Sequence, residues 1–259
     1  MSDATEIRYS RGDVISRKYE IIEHLGDGLF GATYRARHIA SGKDLVIKFL
    51  WPEINENPGN RAVFEDAFKR SKAIRHPALV RNGEFTEHNG SWYFTQEYFK
   101  SQDLRKQLEE HNTNNTTFGL REACEIIIKA LDGLQAGHAG GLHHFDLKPE
   151  NILIATERSG PGGAKVVQRI KLSDMGLALT VGSLKTQENF ESRPEYIYQA
   201  PELSTFSRGG SAQTDVYSMG VILYEALCGE TPSSPLVFPS VRKKELPKHI
   251  DQVVELALA

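Results

Sequence analysis

One stretch, His144-Phe145-Asp146-Leu147-Lys148-Pro149-Glu150-Asn151, constrains this chain more than any other. It places a carboxylate, Asp146, two residues before a cation, Lys148, and five before an amide, Asn151. The run Ile152-Leu153-Ile154 that follows reads as a short buried strand able to hold such a loop on a rigid element. Twenty-three residues beyond Asn151 comes Asp174, again a carboxylate at the end of an apolar run and before a glycine. Asp146 can accept or orient a hydroxyl proton, and Lys148 can neutralise charge on transferring oxygens. Asn151 and Asp174 offer hard oxygen ligands of the kind magnesium takes. Those are the tasks that moving a phosphoryl group from a nucleotide to a hydroxyl imposes.

Upstream, the chain turns strand-like from Tyr19. Tyr19 to Leu25 is followed by Gly26-Asp27-Gly28-Leu29-Phe30-Gly31 and then by Ala32 to Arg37. Glycines at this spacing let a hairpin bring backbone N–H groups against phosphate oxygens without side-chain obstruction. A dinucleotide-binding turn would need a helix directly after the glycines, whereas here a second strand-like run follows and then the turn Ala40-Ser41-Gly42. The next strand, Leu45 to Leu50, carries one cation, Lys48, inside an otherwise apolar run. An apolar strand rarely buries a lysine without a partner, and nucleotide phosphates would supply one. The alternative is a strand-end lysine that reaches solvent.

In this order, HHFDLKPEN, SDMG and YQAPE resemble the catalytic loop, the metal-binding element and the close of the activation segment of eukaryotic-type protein kinases. The chain is most similar to the bacterial serine/threonine branch, and the resemblance runs from about Tyr19 to Ala259. It implies an α+β, bilobal fold, with a small β-rich N-lobe over about 19–96, a hinge at 97–100 and a larger, mainly helical C-lobe from 101. Residues 1–18 are expected as a lead-in. The family normally adds two or three helices beyond the one expected over Ile250–Ala259. The resemblance implies ATP with magnesium or manganese, and a protein substrate. It makes Lys48 the phosphate-binding lysine, and Asp146 and Lys148 catalytic. Asn151 and Asp174 become the metal ligands. Leu25, Gly26, Gly28, Gly31, Thr33, Val46, Glu97, Phe99, Asp103 and Leu153 would line the nucleotide site. Asp103 is equally legible as a helix N-cap. Asp215, in the helix expected over Asp215–Leu227, would anchor the catalytic loop, with capping as the alternative.

The chain departs from the family at several positions. Counting back from His76-Pro77, the helix residue that pairs with the strand lysine falls on Ala67. Glu65 and Asp66 would lie roughly 200° and 100° away around a helix expected over Asn60–Arg75. Gln96 is polar at the gatekeeper position and is a candidate to serve Lys48 in place of that glutamate. Phe145 replaces the catalytic-loop arginine that usually meets an activation-loop phosphate. The threonine before the Ala-Pro-Glu element falls on Glu195, and the arginine that pairs with the position of Glu202 is absent. Two function classes follow: an active serine/threonine kinase, and a pseudokinase that binds nucleotide and acts as a regulatory or scaffolding domain.

Charge separates neither class, but it excludes others. There are 31 basic against 34 acidic residues, which gives neither the basic excess of a nucleic-acid binder nor a polycationic run for a membrane surface. No run of 18 apolar residues occurs and the first eleven residues lack the apolar core of a signal peptide, so the visible chain is expected to be cytoplasmic. Cys124 and Cys228 lie in apolar, helix-like contexts and read as buried thiols. His143 and His144 have no further ligands at zinc spacing. Glu157–Gly163 reads as a surface turn between two strands, and Gly176–Gln199 as the activation segment.

Overall fold

The computed structural model describes residues 8–158, 165–178, 194–204 and 210–259. The chain divides into two compact units. One holds the residues up to Arg75, Val80–Phe99 and the stretch from Gly176, and the other holds His76–Leu79, Lys100–Met175 and the C-terminal remainder.

The first unit is built on a six-stranded antiparallel sheet. Its strands are β1 (Val14–Ile15), β2 (Tyr19–Asp27), β3 (Gly31–His38), β4 (Asp44–Leu50), β5 (Asn82–His88) and β6 (Ser91–Glu97), in the order β1-β2-β3-β4-β6-β5. Helices α1 (Pro52–Asn55) and α2 (Pro58–Ala73) lie between β4 and β5 in sequence. Period-two alternation sorts the side chains onto two faces. Ile15, Ile21, Ala32, Tyr34, Ala36, Ile47, Phe49 and Tyr93 form one cluster, and Phe30, Leu50, Ile54, Phe64, Phe68, Phe94 and Leu177 form another. Helix α2 starts two residues before the expected position, because Asn57 caps it: its side chain accepts from Gly59 N and Asn60 N, and Pro58 follows.

Part of the expected lead-in, Val14–Ile15, belongs to this sheet. Ile15 is fully buried, Gly12 N donates to Ile21 O, and Ile21 N donates to Asp13 O, both at 2.9 Å. One buried isoleucine before a tight turn at Ser16-Arg17, both at positive φ, is too short to show a periodic signature.

The second unit contains β7 (Gln102–Asp103), α3 (Leu104–Thr113), α4 (Leu120–Ala139), β8 (Ile152–Arg158), β9 (Lys165–Leu172), α5 (Pro201–Ser204), α6 (Ala212–Cys228), α7 (Pro239–Arg242) and α8 (His249–Ala257). Strands β7, β8 and β9 make a small antiparallel sheet in that order. Helix α6 is buried on nearly all sides. It opens with a Ser211/Thr214 capping box and closes on Gly229 at φ 79°. Cys124 and Cys228 are free thiols, and burial pushes Cys228 up to about 11. Among the described residues no helix is long and apolar enough to cross a membrane.

Candidate active site

In the second unit the loop from Leu142 to Asn151 is held from beneath by one carboxylate. Asp215 is completely buried in the first turn of α6. Its Oδ2 accepts from His144 N at 2.8 Å and lies 2.7 Å from His138 Nε2, while its Oδ1 accepts from Phe145 N at 2.8 Å. Ser211 caps the helix, so Asp215 is an anchor and not a cap. A buried carboxylate is tolerated because three donors replace its water. Those contacts hold Phe145 at φ 56°, a left-handed conformation uncommon for a bulky residue. The Phe145 ring is buried and lies against Gly210, where an added Cβ would come within 2.2 Å of it. His144 is fully buried and spans the loop, with Nε2 2.9 Å from Ser173 O and Nδ1 3.4 Å from Asp146 N. The His143 ring lies tilted against those of His138 and Phe145, with centroids 5.1 Å from each. Among the described residues no cluster of three His, Cys, Asp or Glu side chains could hold a metal.

The strained turn presents Asp146. Burial pushes its carboxyl above the ordinary carboxylate range, against the lowering effect of Lys148, whose Nζ is 3.5 Å from Asp146 Oδ2. Asn151 Nδ2 donates to Asp146 O at 2.7 Å, which leaves the amide oxygen Oδ1 on the side of Ser173. Ser173 Oγ is 3.3 Å from Asn151 Oδ1 and 3.5 Å from Asp174 Oδ2, so its single proton can serve either oxygen. Asp174 is at φ 60°. The two oxygens share one hydroxyl partner and fit a magnesium ion, which needs only one or two protein ligands beside phosphate and water. Asp103 and Leu153 are cross-strand partners in this unit. Asp103 caps α3, accepting from Lys106 N at 2.9 Å.

Two features here were not anticipated from the sequence. Arg105 joins Glu150 at 3.0 Å and Glu225 at 2.8 Å and also bonds Tyr198 OH, which donates to Glu225 Oε2 at 2.5 Å. Lys171, buried on β9, donates to Leu79 O at 3.0 Å. The members of the first network are 45 to 120 residues from Arg105, beyond any local spacing rule. Glu202 accepts from Thr214 Oγ1 at 2.8 Å. The tip of the turn expected over Glu157–Gly163, residues 179–193 of the activation segment and the side chain of Glu195 lie outside the described residues.

In the first unit, cross-strand pairing puts Thr33, Lys48, Val46, Phe94 and Gln96 on one face: Thr33 pairs with Lys48, Lys48 with Phe94, and Val46 with Gln96. Lys48 Nζ is 6.0 Å from the centroid of the Phe94 ring. Ala67 packs against the cluster containing Phe94, whereas Glu65 is paired with Lys69 at 2.6 Å and Asp66 is exposed, so neither acid takes the place of a glutamate at Ala67. Gln96 is buried, and its Nε2 donates to Asn82 Oδ1 at 2.9 Å. Glu97 Oε1 accepts from Arg81 N at 3.0 Å, and Phe99 is nearly buried.

The three glycines differ in what they need. Gly26, beside Leu25 at a β-bulge, has φ 138°. Gly28 N donates to Gly31 O at 2.9 Å, and a Cβ on Gly28 would meet nothing nearer than 3.8 Å. At Gly31 a Cβ would fall 1.5 Å from Phe49 O. Close strand packing therefore explains Gly31, whereas nothing in the packing requires a glycine at Gly28.

Comparison with known proteins agrees with this arrangement. The family model for the protein kinase domain matches residues 19–256. The serine/threonine-protein kinase PknB of Mycolicibacterium smegmatis is 30% identical over 266 residues, covering 95% of this chain and 40% of PknB. A probable serine/threonine-protein kinase, pknA2 of Bifidobacterium longum, is 28% identical over 223 residues, covering 85% of this chain and 27% of the relative. The chain thus spans well under half the length of these two curated relatives. The crystal structure of the Mycobacterium tuberculosis PknI kinase domain superposes with a TM-score of 0.72 at 22% identity, covering 97% of this chain and 92% of that one. By the family match and by the motifs that the fold assembles, the chain belongs to the protein kinase family.

Proposed function

We propose that this chain is an ATP-dependent protein serine/threonine kinase that transfers the γ-phosphate of ATP to a protein hydroxyl. The observation that carries the reading is Asp146, a carboxylate only 14% exposed on a loop anchored by Asp215, with Lys148 3.5 Å away. Asp146 accepts or orients the hydroxyl proton of the acceptor, and Lys148 faces the charge on the transferring oxygens. Asn151 Oδ1 and the Asp174 carboxylate hold the magnesium, which neutralises phosphate charge when bound. In the first unit Lys48 and the glycine hairpin bind phosphate, and Leu25, Thr33, Val46, Glu97 and Phe99 take the base; in the second unit Leu153 offers an apolar contact and Asp103 a partner for the ribose. Lys148, and the lack of tyrosine-kinase substitutions in the loop, favour serine or threonine as acceptor. One observation favours the second reading, a nucleotide-binding pseudokinase: α2 presents Ala67 where a carboxylate would pair with Lys48, and Glu65 is bound to Lys69.

Transfer of labelled γ-phosphate to the chain itself and to a generic basic protein separates the two, with Asp146→Asn as control. A kinase gives signal in the wild type and none in the control. ATP binding without signal above control would establish the pseudokinase. The acid limb of the pH–rate profile should lie above the ordinary carboxylate value of about 4, because Asp146 acts ionised and burial favours its protonated form. The same sign governs stability: a carboxyl whose folded pKa is raised contributes stability at low pH that is lost as pH rises through that pKa. At neutral pH Asp146→Asn removes that cost, so the inactive control should melt no lower than the wild type.

A further inference from the structure

Four ring contacts seat α2 on Phe85 and Phe94, and taken by themselves they do little to fix its position along its own axis. Phe64 lies 5.7 Å from Phe85 and 5.5 Å from Phe94 between ring centroids, and Phe68 lies 5.7 and 5.4 Å from the same two rings. A slide of one helical turn, about 5.4 Å, would exchange one phenylalanine for the other and keep much of this weakly directional contact. Yet the register of α2 decides which of its residues faces the Phe94 ring, over which Lys48 lies.

At the start of α2 Arg61 donates to Asn55 O at 3.2 Å and Phe64 also meets Phe30, and further directional bonds enter one turn beyond Phe68. Ser71 continues the Phe64–Phe68 stripe, is buried, and accepts from Asn82 Nδ2 at 3.0 Å. Asn82 Oδ1 in turn accepts from Gln96 Nε2 at 2.9 Å. A β-bulge makes this possible. Asn82 pairs with Gln96 and Phe85 pairs with Phe94, so β5 uses three steps where β6 uses two. Asn82 and Phe85 therefore share a face despite their odd spacing. Gly83 and Thr95 set the bulge: Glu84 N donates to Thr95 Oγ1 at 2.9 Å, and a Cβ on Gly83 would fall 2.2 Å from that oxygen. Ser71 and Gln96 are both buried, so a slip of α2 would break these bonds where water cannot readily replace them. At its far end Gln96 is the cross-strand partner of Val46, on the face that carries Lys48.

We propose that Ser71, Asn82 and Gln96 form a register lock for α2. They are positioning residues that set the helix, with Ala67 on the cluster containing Phe94, against the strand bearing Lys48. As an aid to phosphate transfer, the lock rests on the kinase reading given above.

The test uses Asn82→Leu, which removes both links at similar size, and Ser71→Ala as a milder break. Hydrogen exchange of the α2 amides and steady-state phosphate transfer are read on the whole chain. Exchange in α2 should accelerate about tenfold in Ser71→Ala, the equilibrium effect of one lost hydrogen bond, and by more in Asn82→Leu, with β2, β3 and β4 unchanged. The kcat should fall about tenfold with KM for ATP within about threefold, the signature of lost positioning rather than lost binding. Adding Ala67→Glu to Asn82→Leu should restore kcat, since an ion pair then replaces the lock. Unchanged α2 exchange, equal acceleration across the sheet, or no rescue by Ala67→Glu would each overturn the proposal. If the wild type transfers no phosphate, the kinase reading falls by itself and the two exchange outcomes still decide whether the lock exists.

Discussion

Asp215→Asn is a near-isosteric change that the structure marks as severe. The carboxylate serves three donors: His138 Nε2 and His144 N at Oδ2, and Phe145 N at Oδ1. An amide has one oxygen. With the nitrogen at the Oδ2 position, His138 can adapt by accepting, but His144 N faces a second donor. With the nitrogen at Oδ1, Phe145 N loses its acceptor. Either way one buried backbone N–H is orphaned, which costs about 1–3 kcal/mol, and the remaining bonds lose the strength an ionised acceptor gives. The expected destabilisation is about 2–4 kcal/mol, or a fall in Tm of about 5–10 °C for a chain of this size. Asp215→Ala should cost more, since no acceptor is left. Phosphate transfer should suffer further, because the φ of 56° at Phe145 depends on its N–H being held and Asp146 is the next residue. A shift of about 1 Å there is worth about 10²-fold in rate. Urea unfolding followed by circular dichroism, with transfer measured at a temperature where the variant is folded, checks both. A variant within about 0.5 kcal/mol of wild type, the range of an ordinary surface substitution, would show that the anchor is not energetically real. Normal transfer would show that the loop does not need it.

The two glycines of the hairpin should respond oppositely. Gly31→Ala forces a Cβ to within 1.5 Å of Phe49 O and should lower thermal stability of the first unit, whereas Gly28→Ala meets nothing nearer than Gly31 O at 3.8 Å and should weaken ATP binding with an unchanged melt. Arg105→Ala strips a guanidinium from Glu225, whose side chain is 7% exposed. A loss of about 3–5 kcal/mol is expected in chemical denaturation, the cost of a buried charge without its partner. Arg105→Lys, with no fork to reach several acceptors, should fall between it and the wild type.

The features legible in the sequence were those that repeat locally. Lys48 stood out as one charge in an apolar strand, Ala67 could be placed by counting along a helix, and Asp215 was placed by motif order. The structure decided between readings that a single residue type leaves open: Asp215 is an anchor because Ser211 already fills the cap, and Asp103 does cap its helix. What stayed hidden depends on three-dimensional coincidence. The Arg105 network joins residues up to 120 apart, and the Ser71–Asn82–Gln96 chain depends on a bulge that shifts the phase of one strand. Ile15 escaped notice because a two-residue strand has no period to detect.

That short strand bears on where the folding unit begins. The family match starts at Tyr19, and a protein expressed from that residue would keep every motif. It would also lack Ile15 and the paired backbone of Gly12 and Asp13, leaving a vacancy in the aromatic cluster and exposing the N–H and C=O of Ile21 along the rim of the sheet. An open rim recruits a strand from another molecule. A domain trimmed to its homology boundary should therefore self-associate, while the same domain begun a dozen residues earlier stays capped by its own chain.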